Sequence, residues 1–243
     1  MPIVRIIASL KGGVGKTTLT AAIAGELAER GKRVLILDCD ANLPFQLWQN
    51  SEFVPREIDI APISNSRDLL RAISLGKQEF DEILVDLPAG GSQLMVTAVA
   101  QSDVVCIPFR AAFLDVKEAI ATRHVCFDIS REFRKAPAFV VCVPMALTGL
   151  HLRERITREA VELLHSDPDL VATSGTTDRT AYRQLFNPET GGATLYTLPD
   201  TVTNIASSRA QIALLVSHID DLRRRHQKIF GIDFIKSKVY TIN

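Results

Sequence analysis

The chain reads as a single α/β domain, a doubly wound and mostly parallel sheet with helices on both faces. Three observations predict this. Six short apolar runs recur through residue 144, amphipathic segments separate them, and a glycine-rich turn joins the first run to the first amphipathic segment. Apolar runs without clear alternation, bounded by Pro, Gly or Asp and interleaved with helices, are what a sheet covered on both faces requires.

The first run, IVRIIAS at 3 to 9, is β-rich and leads into the turn KGGVGKTT. Behind it TTLTAAIAGELAERG places alanine and leucine at helical spacing and stops at Gly31. Further strands are predicted at RVLILD (33 to 38), EIDIAP (57 to 62), EILVDLP (82 to 88), DVVCIPF (103 to 109) and AFVVCVP (138 to 144). Amphipathic helices are predicted at roughly 67 to 76, 91 to 101, 115 to 134 and 150 to 165. After residue 166 the chain becomes polar and turn-rich, with a strand at 170 to 174 and a short helix near 179 to 186. A helix from about 202 to 225 follows. No internal repeat or linker marks a second domain, so residues 1 to 225 form one domain and 226 to 243 a C-terminal tail whose order the sequence leaves open.

Composition narrows the function classes. With 243 residues, 47% of them apolar, the chain has ample material for a buried core. Twenty-eight Lys and Arg balance 28 Asp and Glu, so any nucleic-acid or membrane surface must be a local concentration of charge. Cys39, Cys106, Cys126 and Cys142 are widely spaced and form no CxxC pair, which suits reduced thiols better than disulfides or zinc. Cys106 and Cys142 lie inside VVCIP and VVCVP and are read as small core hydrophobes rather than cluster ligands. No apolar run approaches membrane-spanning length, and the opening residues lead directly into a strand. A cytoplasmic protein is expected.

The turn carries the chemistry. Gly12, Gly13 and Gly15 let backbone N–H groups turn inward around phosphates, and the helix beginning at Lys16 adds its positive end. Lys16 stands where a P-loop lysine reaches the β- and γ-phosphates, and Thr17 is placed to bind Mg²⁺. Val14 and Thr18 complete the stretch. The string lacks the first glycine of GxxxxGK[ST] and carries a second lysine, Lys11, in that part of the loop. Two buried strands end in carboxylates. Asp38 and Asp40 share a face if extended, so one can help hold a metal shell while the other orients water. Asp86 closes EILVD in the position of a Mg²⁺-binding carboxylate, followed by Gly90 and Gly91 as a hinge.

KGGVGKTT resembles the deviant Walker A motif of the ParA/MinD family of P-loop ATPases. The family's DxPxG segment is matched by Asp86, Pro88 and Gly90, and its strand-ending Pro and Leu-Asp pair by Pro108, Leu114 and Asp115. The resemblance covers about residues 3 to 144; farther on, the segments TSGTTDRTAYRQLF and VTNIASSRAQIALLVSHIDDL look like small plasmid-type ParA proteins. It implies ATP and Mg²⁺ as cofactors and slow, partner-stimulated ATP hydrolysis. It implies catalytic roles for Lys11, Lys16 and Asp40, Lys11 reaching across a two-fold interface to the other subunit's phosphates and Asp40 near the attacking water. Asp38 takes an outer metal-shell role, with Thr17 and Asp86 nearer the ion. Ala41 and Asn42 depart from the family's Pro and Gln after the second aspartate. No adenine-specifying Asn follows the strand at 138 to 144, which leaves Pro144 and Pro199 as the candidates for base contact.

The function so implied is a ParA-type positioning ATPase. An ATP-bound homodimer would bind DNA without sequence preference, associate with the nucleoid, answer to a ParB-like activator or cargo adaptor, and move a plasmid, chromosome or other DNA cargo. Candidate DNA-contacting residues are Arg223, Arg224, Arg225 and Lys228, with Arg153, Arg155 and Arg158 on the 150 to 165 segment. An ordinary basic helix C-terminus accounts for the first cluster equally well. Two alternatives differ in class. A MinD-like membrane switch would use the tail FGIDFIKSK, whose glycine, aspartate and short apolar stripe argue against an anchor. A deviant-loop metabolic enzyme, such as a dethiobiotin synthetase, would need a substrate carboxylate site.

Overall fold

Six strands form the parallel sheet that the apolar runs predict, in the order β3-β2-β4-β1-β5-β6. The computed structural model describes residues 1–134, 136–148, 175–187, 189 and 192–239, with backbone alone from residue 230 on. The strands are β1 (Ile3–Ile7), β2 (Val34–Asp38), β3 (Ile58–Pro62), β4 (Glu82–Asp86), β5 (Val104–Arg110) and β6 (Phe139–Met145). All five pairings are parallel. The described helices are α1 (Lys16–Glu29), α2 (Gln46–Gln49), α3 (Ser66–Glu79), α4 (Gln93–Gln101), α5 (Phe113–Phe133), α6 (Thr180–Gln184) and α7 (Ile205–Val239).

Alternation along each strand divides the core into two layers. Val4 and Ile6 of β1 and Ile83 and Val85 of β4 face one layer, where Leu69 and Ile73 of α3, Met95 and Val99 of α4 and Val116 of α5 pack. Ile7 and Leu84 face the other, with Leu19 and Ile23 of α1 and Ile212 and Leu215 of α7. Both faces are thus apolar and covered, which is why the strands lack a polar side. Cys39, Cys106, Cys126 and Cys142 are buried and form no disulfide among the described residues, in keeping with their apolar surroundings in the sequence.

One buried polar cluster ties the last helix to the sheet. Arg5 of β1 donates to Glu82 of the neighbouring β4 at 2.8 and 3.1 Å and to Asp220 of α7 at 2.7 Å. Only a fully paired charge is tolerated at such depth, and removing one partner costs about 3 to 5 kcal/mol.

The structure adds what periodicity could not supply. The four-residue helix α2 seats Trp48, whose indole N–H donates to the Leu185 carbonyl at 2.8 Å and whose ring stacks on Phe186. Gly192 passes so close that a Cβ there would stand 2.3 Å from the indole, so this crossing excludes a side chain. The turn-rich stretch around residues 181 to 198 therefore belongs to the core, through Ala181, Leu185, Ala193, Leu195 and Leu198. The last helix, expected to about 225, continues in the backbone to Val239. The predicted helix at 150 to 165 and strand at 170 to 174 lie outside the described residues.

Candidate functional site

The first strand stops at Ile7 because the chain must turn, and Gly13 and Gly15, with φ of +72° and +100°, make the turn in a conformation that side-chain-bearing residues rarely adopt. Gly15 caps α1 and delivers Lys16 into its first turn. The turn lies beyond the C-terminal ends of β1 and β4, beside the place where strand order reverses. In doubly wound sheets that crevice receives the ligand.

Register brings the carboxylates to the same crevice. Asp38 and Asp86 stand side by side at the ends of β2 and β4. Thr17 donates its hydroxyl to Asp86 Oδ2 at 2.7 Å, and Thr20, one turn along α1, donates to Asp86 Oδ1 at 3.0 Å. Hydroxyl and carboxylate oxygens are the donors Mg²⁺ takes from protein when phosphates and waters supply the rest, so Thr17 and Asp86 fit that ion. Burial pushes the Asp86 carboxyl up to about 7, against the hydroxyl bonds and the nearby Lys16 ammonium. Burial lowers the Lys16 amine, opposed by Asp86 and Asp40.

Asp38 is held by backbone. It accepts from the Phe45 amide at 3.1 Å and the Asp40 amide at 3.2 Å, while burial raises its pKa. These bonds fix the entry of the β2–α2 loop, which suits a supporting role better than direct contact with a ligand. Asp40 is only half-buried. Its Oδ1 accepts from the amide and side chain of Asn42, both at 2.9 Å, so the residue that departs from the family's pattern holds the aspartate.

Lys11 leaves the loop on the other side and pairs with Asp115, in the first turn of α5. The lysine is 42% exposed and the aspartate 7%. Asp115 is thus the anchored partner and Lys11 the one able to leave.

A cavity of about 170 Å³ opens beside the loop. Val14, Gly15 and Thr18 form its floor, Arg110 and Met145 one wall, and the segment from Thr176 to Arg183 the other. Its place beyond the first turn of α1 suits the sugar and base of a nucleotide whose phosphates sit in the loop. Pro144 lies just behind, its carbonyl accepting from the Thr176 amide at 2.8 Å. Exposed Pro199 sits elsewhere, between Leu198 and Asp200, which bind Arg209 at 2.9 and 2.7 Å, and the cavity's lining does not include it. The structure thus gathers Lys11 through Thr18, Asp38, Asp40 and Asp86 at one crevice and leaves Pro199 outside it.

Sequence reasoning missed Thr20, Arg110 and the Thr176–Arg183 wall. Thr20 was findable, since it lies three residues after Thr17 on the same helix face. The wall was not, because it reaches the loop only through tertiary return. Arg223, Arg224, Arg225 and Lys228 lie along α7, with Arg224 paired to Asp221 and Arg223 bonded to Gln227. Arg153, Arg155 and Arg158 lie outside the described residues. No helix among the described residues is long and apolar enough to cross a membrane.

Comparison with known proteins places these features in context. A family model described as VirC1 protein matches residues 1–224. The chain is 28% identical over 214 residues to Protein ParA of Rhizobium radiobacter, covering 86% of this chain and 91% of that one. It is 33% identical over 165 residues to Protein virC1 of the same organism, covering 64% and 70%. The septum site-determining protein MinD of Pyrococcus horikoshii OT3, complexed with Mg-ADP, shares the fold, with a TM-score of 0.64 at 20% identity over 92% of this chain and 99% of that one.

Proposed function

The chain belongs to the VirC1 protein family, and on that premise we propose that it is a ParA-type ATPase whose ATP-bound dimer holds DNA and releases it on hydrolysis. One observation carries the reading: a phosphate-type loop with two lysines, Lys16 buried at the start of α1 and Lys11 held apart by Asp115. A single nucleotide needs only the first. The second gains a role when another phosphate group approaches from a second copy.

In this reading Lys16 and the α1 amides bind the β- and γ-phosphates, and Thr17 with Asp86 would hold Mg²⁺, which supplies charge neutralisation at those phosphates. Asp40, released from Asn42, orients the attacking water. The ammonium of Lys11 leaves Asp115 and meets the triphosphate of the facing subunit, as an arginine finger does in other phosphoryl-transfer sites. The unit that does this is one domain through residue 225. The dimer joins two sets of Arg223, Arg224, Arg225 and Lys228 into a surface for DNA phosphates, and an adaptor protein couples it to cargo.

The test is DNA binding with ADP, with ATP and with a non-hydrolysable analogue at several salt concentrations. The reading predicts binding in the triphosphate states that weakens steeply with salt. Equal binding with ADP and ATP, or none in any state, would contradict it.

A further inference from the structure

The cavity beside the loop has more positive charge than a neutral sugar and base require. Among the described residues three arginines line it, Arg110, Arg179 and Arg183, against one acid, Asp178. Two of the three are engaged. Arg183 binds both Asp178 oxygens, at 2.7 and 2.8 Å, and Arg179 donates to the Thr177 hydroxyl at 2.5 Å. Arg110 is the last residue of β5, exposed, and makes no ion pair among the described residues. It shares the cavity with Val14, Gly15 and Thr18, the loop and helix residues on either side of Lys16 and Thr17.

We propose that Arg110 is a ligand of the phosphate nearest the ribose, gripping every nucleotide that enters the loop whatever its phosphate count. The inference rests on the nucleotide reading of the site and deepens it. A guanidinium forks onto two phosphate oxygens, and at this rim it meets the ligand after the loop amides have taken the terminal phosphates. Its task is therefore separate from that of Lys11. Arg110 serves capture by one subunit, Lys11 the joining of two.

Position gives the contact a second consequence. Arg110 lies three residues before α5, and its carbonyl accepts from the amide of Ala112, the cap of the helix whose first turn carries Asp115, at 2.8 Å. A ligand drawn onto Arg110 pulls on the same short connection that positions the partner of Lys11.

The experiment is titration of labelled ADP and of a labelled non-hydrolysable ATP analogue into the unaltered chain, Arg110→Gln and Arg110→Lys, with the thermal midpoint of each nucleotide-free protein as control. Loss of a charge-assisted bond predicts affinity weaker by roughly tenfold to a hundredfold for both nucleotides in Arg110→Gln. Arg110→Lys should recover part of it, and the nucleotide-free midpoints should agree. Unchanged ADP affinity in Arg110→Gln would overturn the proposal, as would a loss confined to the triphosphate, which would place Arg110 at the facing subunit. No ADP binding by the unaltered chain would overturn the nucleotide reading itself and this proposal with it.

Discussion

Lys11 and Asp115 form an ion pair between residues 104 apart in sequence, joining the phosphate-type loop to the first turn of α5. In the isolated chain the second lysine is therefore occupied, and any role across a dimer interface begins by breaking this contact. Water reaches the lysine side of the pair and screens it, so the ammonium can exchange Asp115 for a bound triphosphate, which leaves the buried carboxylate to be satisfied by other groups.

Weakening that pair should favour assembly. Asp115→Asn keeps the side chain's shape and removes its charge, so the ATP concentration that half-assembles the dimer should fall by a few-fold, with ADP affinity unchanged. Light scattering across an ATP titration measures it, and a rightward shift would mean that Asp115 supports the dimer instead.

Asp40 is the proposed water-orienting group, and Asn42 holds its carboxylate at 2.9 Å through two bonds. Asp40→Ala should retain ATP binding while phosphate release drops by roughly 10² or more. The variant should stay on DNA as long as ATP is present. Rapid turnover by Asp40→Ala would move the role to another residue.

The buried Asp86 sets a pH dependence. Its carboxyl is pushed up to about 7 by burial, so between about pH 4 and pH 7 the folded, metal-free chain retains a proton that the unfolded chain has released. Stability of the metal-free protein should fall as pH rises through that window, and Asp86→Asn should lack this part of the slope. Affinity for Mg-nucleotide should rise over the same window, because the ion takes the deprotonated form. Thermal melts without metal decide the point, and identical slopes for the two proteins would contradict it.

Replacing Arg223, Arg224 and Arg225 together with alanine should abolish salt-sensitive DNA retention and leave dimer formation intact. The bonds of Arg224 to Asp221 and of Arg223 to Gln227 lie at the surface, and only the Arg223 stem is half-buried, so the thermal midpoint should fall slightly. Retained DNA binding would shift the contact surface to another part of the dimer.

The six strands and most of the helices were legible because the runs are mainly apolar and short, and the helices between them place apolar residues at helical spacing. The carboxylates were legible too, since Asp38 and Asp86 close buried strands where polar side chains have few other reasons to stand. What sequence could not show depends on return of distant chain. Trp48 lies in a helix too short for periodicity, and its partners Leu185 and Gly192 arrive from a polar, turn-rich stretch whose short helix near 179 to 186 carries no sign of what it packs against. The Thr176–Arg183 wall of the cavity comes from that same stretch. Pro199, a candidate for base contact only because no adenine-specifying Asn follows the strand at 138 to 144, stands between two residues that bind Arg209.

The central claim is that triphosphate joins two copies through Lys11. The most direct measurement is the light-scattering mass of the Asp40→Ala protein with Mg-ATP, alongside the same protein carrying Lys11→Ala. The account predicts twice the chain mass for the first and the single-chain mass for the second, with ADP binding retained by both. Dimers of equal strength without Lys11 would contradict it.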